Sequence, residues 1–170
     1  MSASAEQVLS ILRQAYQVEV DGHTFYSMIA DKTKQPAVGE IFAKLAADET
    51  QHMAYLRGVS EHFRTTGTAA FVMDRKAPDL RIFADRILSN SFRSQAHGAA
   101  FEMSALSIGM QLEANAIATF SGAAKNASET EIKDFFEFLA NWEKGHMDAL
   151  HRLYEGVRVD FWEKDGFSPF

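Results

Sequence analysis

Six side chains in this 170-residue sequence have types and spacings suited to holding metal ions: Glu19, Glu49, His52, Glu113, Glu143 and His146. Glu49 with His52, and Glu143 with His146, are three residues apart, so each carboxylate and imidazole project from one face of a helix, a turn apart. Moving the chain by 94 residues carries Glu19 onto Glu113, Glu49 onto Glu143 and His52 onto His146 without a gap. The same shift pairs Tyr26 with Phe120, Phe42 with Phe136, Leu45 with Leu139, Met53 with Met147 and Leu56 with Leu150. With thirteen Glu and six His in the chain, chance alone supplies about half an E-x-x-H pair, so a single one carries little information. Two at one offset, each with an upstream Glu and each flanked at i−4 and i+4 by Leu and Met, describe a duplicated apolar face that holds acids in its middle.

Antiparallel helices bring two residues to one height when the turn lies midway between them. Between Glu19 and Glu49 the midpoint is Lys34, beside Gln35-Pro36; between Glu113 and Glu143 it is Ser128. Both pairs of glutamates are therefore level, and His52 and His146 follow about 4.5 Å further along the axis. Four carboxylates gathered in an interior would cost several kcal/mol each without a compensating positive charge. Two divalent ions balance them. Oxygen and imidazole donors with no thiolate suit iron or manganese better than copper(I), and a tetrahedral structural zinc site would not need six ligands. Two iron ions are the expected cofactors, with manganese or zinc as alternatives, and Glu49 and Glu143 are the expected bridges. Tyr26, on the Glu19 face, either hydrogen-bonds a metal-bound carboxylate or is a core aromatic, as Phe120 reads. His23 pairs with Ile117 in the repeat and is assigned a supporting or surface role. Asp148 with His151 lies off the Glu143 stripe and reads as solvated, and His62 and His97 read as loop or helix-end residues.

The elements that must position these groups are helices. Apolar residues at Ile41, Phe42, Leu45, Ala46, Met53 and Leu56 keep to one helix face, as do Leu12, Ala15, Tyr16, Gly22 and Tyr26. Ser4 with Gln7 and Ser128 with Glu131 have the capping-box spacing, and Pro36 suits a first helical turn. The pattern predicts helices near 4–32, 36–64, 95–126 and 129–156, a crossover at 65–94 and a tail at 157–170. The crossover is far longer than an ordinary helix–helix loop, and Leu80, Phe83, Ala84, Ile87 and Leu88 predict a short amphipathic helix within it. Two hairpins then pack as one all-α four-helix bundle with a shared interior, in a single domain over 1–170.

Composition narrows the function classes. A net charge of −6 with no basic stripe argues against a nucleic-acid partner. The N-terminus lacks the charged and apolar regions of a signal peptide, and no run of eighteen apolar residues occurs, so neither export nor membrane insertion is expected and the assignment is cytoplasmic. With no cysteine, disulfides, thiolate metal sites and thiol nucleophiles are excluded.

The segments "EVDGHTFYSMIA", "FAKLAADETQH" and "FEFLANWEKGHMDAL" resemble the rubrerythrin-type members of the ferritin-like superfamily, and the likeness extends over the four helices. It implies a ferritin-like four-helix bundle of two repeated hairpins with one long crossover. By motif it implies two irons on Glu19, Glu49, His52, Glu113, Glu143 and His146, oxidised from the diferrous state by hydrogen peroxide or dioxygen. Two departures stand out. Rubrerythrins carry a second Glu three residues after the third-helix ligand, where this chain has Ala116, which puts the ligand exchange of the family's peroxidases in doubt. They also end in a rubredoxin domain with C-x-x-C pairs, absent from this sequence, so an external electron donor is expected.

The expected function is that of a di-iron oxidoreductase, a peroxidase or ferroxidase in which two adjacent ferrous ions give two electrons to the oxidant without releasing a radical. The competing classes are an iron-storage or iron-handling protein and a bundle with a structural, non-redox metal. The crossover and tail carry Leu80, Phe83, Ile87, Phe92, Phe161, Trp162, Phe167 and Phe170, more apolar surface than one bundle needs outside its core, and a homodimer through these segments is expected.

Overall fold

A computed structural model describes residues 3–67 and 100–164. They form four helices, α1 (Ala3–Lys32), α2 (Pro36–Thr66), α3 (Ala100–Asn126) and α4 (Thr130–Lys164), and no strand occurs among them. The first hairpin turns within three residues. Thr33 N–H bonds the Ile29 carbonyl at 2.9 Å, and Pro36 opens α2, where its missing N–H is not needed. At the far end of α2, Gly67 adopts φ 71° and its N–H closes on the Phe63 carbonyl at 2.9 Å. That left-handed helix stop is open to glycine without a Cβ penalty. The Thr33 hydroxyl also donates to the buried Glu102 carboxylate at 2.9 Å, tying the first turn to the start of α3.

Two apolar clusters sandwich the middle of the bundle. One joins Tyr26, Ile29, Phe42 and Leu45 of the first hairpin to Leu106, Leu150 and Leu153 of the second. The other joins Leu12, Leu56 and Phe63 to Phe120, Phe136 and Leu139. Residues late in α1 thus meet residues early in α3, so these two helices run antiparallel, and by the same test so do α2 and α4. The two hairpins are inverted copies related by a pseudo-two-fold axis through the middle of the bundle. The sequence repeat is visible in the packing: Ile41 and Phe135, Ala46 and Ala140, Val59 and Leu153, and Phe63 and Val157 are 94 residues apart and all buried.

This inversion puts Gly67 at one end of the bundle and Ala100 at the other, ends about 40 Å apart for a 27-residue helix. The crossover, including the short helix expected there and the segment 95–99 expected to begin the third helix, lies outside the described residues, as does the end of the tail from 165. One boundary differs from expectation. The fourth helix does not stop near Gly156 but continues to Lys164, because Leu153 and Val157 extend its buried stripe. A glycine inside a helix costs only about 1 kcal/mol relative to alanine, which that packing outweighs. Gly109, at the α1–α3 crossing, lies where packing is tight: a Cβ there would stand 3.2 Å from Leu150 Cδ1 and 3.4 Å from Tyr26 Cε1.

Candidate metal centre

Each helix contributes to the layer between the two clusters: α1 Glu19, α2 Glu49 and His52, α3 Glu113, α4 Glu143 and His146. All six are at most 3% exposed. Their donor atoms form two overlapping groups, Glu19, Glu49, His52 and Glu143 in one and Glu49, Glu113, Glu143 and His146 in the other, with the atoms of each group within 4.8 Å of one another. Glu49 and Glu143 belong to both. Asp148 and His151 are exposed, while His23 and His62 are half-buried, and none of these four joins either group. His97 lies outside the described residues.

Both imidazoles turn Nδ1 toward the carboxylates. His52 Nδ1 is 3.1 Å from Glu19 Oε2, 3.0 Å from Glu49 Oε2 and 2.9 Å from Glu143 Oε1. His146 Nδ1 is 2.8 Å from Glu143 Oε2 and 3.4 to 3.5 Å from Glu49 and Glu113 oxygens. Several of these atoms nonetheless lack a hydrogen-bond partner: Glu19 Oε1, both oxygens of Glu143 and Nδ1 of His146. Close in distance but not aligned on one another, they converge on shared space. Unpaired buried polar atoms are costly, and a positive ion accepting several donors at once satisfies them together. The donor set suits two hard or borderline divalent metals.

The surroundings hold groups that the sequence reading did not single out. Asp48, fully buried, lies with Oδ1 2.7 Å from Lys44 Nζ and Oδ2 3.5 Å from His146 Nε2. Burial alone would raise its pKa, but His146 and Lys44 outweigh burial and hold it below the usual carboxylate range. Trp142, 2% exposed, packs edge-to-face on His52 with ring centroids 4.5 Å apart. Each immediately precedes a cluster glutamate, a position about 100° around the helix from it and so easily read as outer surface. Tyr26 is fully buried, and its hydroxyl donates to Glu113 Oε1. Between α1 and α3 a cavity of about 130 Å³ reaches Glu19, Glu49 and Glu113 past Gly22 and Ala116, residues 94 positions apart whose small size leaves it open.

A model of the rubrerythrin family matches residues 10–154. The chain belongs to the rubrerythrin family. No curated protein and no solved structure gives a significant match. The matched span contains all six cluster residues together with Tyr26, Asp48 and Trp142.

Without metal, this chain must neutralise its cluster with protons. Burial pushes the Glu19 and Glu113 carboxyls up, Glu113 to about 8, and nearby Glu49 and Glu143 add to the effect. Tyr26 rises too, through burial and then Glu113. Burial would raise Glu49 as well, yet hydrogen bonds with Glu19, His146 and His52 hold it well below its usual range. Glu143 is lowered because His52 and His146 outweigh burial and the charge of Glu49. Burial opposes charge on the imidazoles, but Glu143, joined by Glu19 at His52 and by Glu113 at His146, raises both well above the ordinary value. Protons held on the raised acids and imidazoles thus offset the charge of the remaining carboxylates.

Loading two divalent ions should therefore release protons near neutral pH, from the raised carboxyls and from both imidazoliums, a release that pH-stat titration measures. The metal-free protein has a matching pH dependence. Glu113 titrates near 4.5 unfolded and near 8 folded, so between these values the folded form holds the extra proton and stability falls as pH rises. The raised imidazoles act in the same direction above about pH 6.5. Melting temperature of the metal-free form should decline from about pH 5 to about pH 8; a rise over that window, or release of fewer than about two protons on loading, would contradict the assignment.

Proposed function

We propose that this rubrerythrin-family chain is a non-haem di-iron oxidoreductase, a peroxidase or ferroxidase that uses hydrogen peroxide or dioxygen. The observation that carries the reading is the pair of buried donor groups sharing Glu49 and Glu143. When bound there, two iron ions would supply two electrons to one oxidant molecule from adjacent positions. Glu49 and Glu143 would hold both ions, Glu19 and His52 one of them, and Glu113 and His146 the other. Tyr26 would fix the Glu113 carboxylate through its hydroxyl. The cavity past Gly22 and Ala116 admits a molecule of a few atoms to the carboxylates while the two apolar clusters exclude bulk water above and below. The 170 residues hold no cysteine, so the electrons that reduce the centre would come from a donor outside them. No described helix is long and apolar enough to cross a membrane.

Removing either shared carboxylate by Glu49→Ala or Glu143→Ala should abolish stoichiometric binding of two irons. Anaerobic ferrous titration of the metal-free protein reads this, and two equivalents still tightly held by a variant would refute the shared role. Because Ala116 stands where rubrerythrins carry a further glutamate, the diferrous protein should react with peroxide but with a reduced preference over dioxygen. Stopped-flow oxidation with each oxidant compares the two, and a peroxide rate orders of magnitude above the dioxygen rate would show that the carboxylate is dispensable. The apolar residues of the crossover and tail favour a homodimer. Light scattering should give twice the chain mass; a monomer would refute the dimer, and a large shell would favour iron storage over turnover.

A further inference from the structure

The 94-residue repeat superimposes the six cluster residues on one another but not the side chains behind them. Asp48 corresponds to Trp142, Lys44 to Phe138 and Tyr26 to Phe120. Every polar member of these pairs serves the group of Glu113 and His146. Lys44 Nζ is 2.7 Å from Asp48 Oδ1, Asp48 Oδ2 is 3.5 Å from His146 Nε2, and the Tyr26 hydroxyl donates to Glu113. Every aromatic replacement lies on the other side. Phe138 and Trp142 pack edge-to-face at 5.4 Å, Trp142 packs against His52 at 4.5 Å, and Phe120 stacks on Phe136 at 6.2 Å. Among the described residues, His52 Nε2 and Glu19 Oε1 have no hydrogen-bond partner; His146 Nε2 and Asp48 Oδ2, 3.5 Å apart, are not aligned as a hydrogen bond either, but only His146 has a carboxylate standing opposite its Nε2.

The difference bears on metal affinity. An imidazole that ligates through Nδ1 carries its hydrogen on Nε2, and a carboxylate accepting that hydrogen fixes the ring and makes the ligating nitrogen more basic; losing such support typically costs 10- to 100-fold in affinity. Asp48 is placed to accept from His146, with Lys44 anchoring its other oxygen. His52 has an aromatic ring instead.

We infer that the two metal positions are inequivalent: the Glu113–His146 position, supported by Asp48, fills first and holds its ion more tightly, while the Glu19–His52 position is the labile one. This rests on the dinuclear reading above. Asp48 is a positioning residue, acting through His146. The labile ion is then the one lost first when metal is scarce, and half-loaded protein carries its ion on the second hairpin's histidine.

Two like-charged ions repel, so even a symmetric site fills in two steps, and the test must report which position fills first. Cobalt(II) is the probe, followed by calorimetry and visible absorbance on the metal-free full chain, with far-ultraviolet circular dichroism checking each variant's helices. His146→Ala leaves the Glu19–His52 position, and His52→Ala leaves the other. The His52→Ala protein should bind cobalt at least about 10-fold more tightly than the His146→Ala protein. Adding Asp48→Asn should weaken binding about 10- to 100-fold in the His52→Ala background and leave the His146→Ala background unchanged, a dependence that general destabilisation would not produce. Equal affinities, or the same loss in both backgrounds, would overturn the inference. Should a variant not fold, the unaltered chain with nitrogen-15-labelled histidine decides. One equivalent of cobalt should shift the His146 ring signals before those of His52, and the reverse order would overturn it. Binding of fewer than two equivalents by the unaltered chain would instead remove the dinuclear reading, and this inference with it.

Discussion

Four glutamate side chains buried at one level of an apolar bundle set the terms for the rest of this molecule. Each ionised carboxylate taken out of water costs several kcal/mol unless positive charge or hydrogen bonds offset it. The cluster has two ways to do so, protons or metal ions. In the metal-free form burial favours the protonated acids of Glu19 and Glu113, and the neighbouring carboxylates favour cationic His52 and His146. Two divalent ions would balance the cluster with all four carboxylates ionised and both imidazoles neutral. Affinity for metal and affinity for protons are thus two aspects of one electrostatic constraint.

Holding that cluster in place takes long, well-packed helices. The apolar layers of Phe42, Leu45 and Leu150 on one side and of Phe136, Leu139 and Leu56 on the other are continuous with the faces that carry the acids. Hydrophobic burial in those layers offsets the cost of the polar middle, and the inverted hairpins bring a carboxylate from every helix to the same height. Small residues are placed where the site must stay open or helices must touch. Gly22 and Ala116 border the cavity, and Gly109 lets Tyr26 and Leu150 close over α3.

Duplication of one hairpin explains the near-symmetry of the donors, and divergence of the two copies explains what is not symmetric. A Lys–Asp pair stands behind one histidine and a Phe–Trp pair behind the other. The donors are constrained by the charge balance of the centre, so both copies retain them. The supporting residues stand behind the donors and can differ without upsetting that balance, which allows two chemically distinct metal environments within one repeated frame.

Much of this was legible in the sequence. The three-residue spacing of Glu49 with His52 and of Glu143 with His146, and their 94-residue offset, identified the six buried residues, because helical periodicity ties spacing to direction. The turn at Gln35-Pro36 and the helical stripes were readable for the same reason. Asp48 and Trp142 were not. Each sits beside a cluster glutamate on the flank of its helix, where sequence periodicity cannot distinguish solvent from a neighbouring helix; the crossing of α2 and α4 is what buries them and sets Asp48 against His146. The end of α4 was likewise decided by packing, since the sequence pattern predicts the helix only to 156 and it continues because Val157 finds the core. Local residue order determined which faces are apolar and which residues share them. Only the tertiary structure decided which flanks meet, because that depends on how separate helices lie against one another.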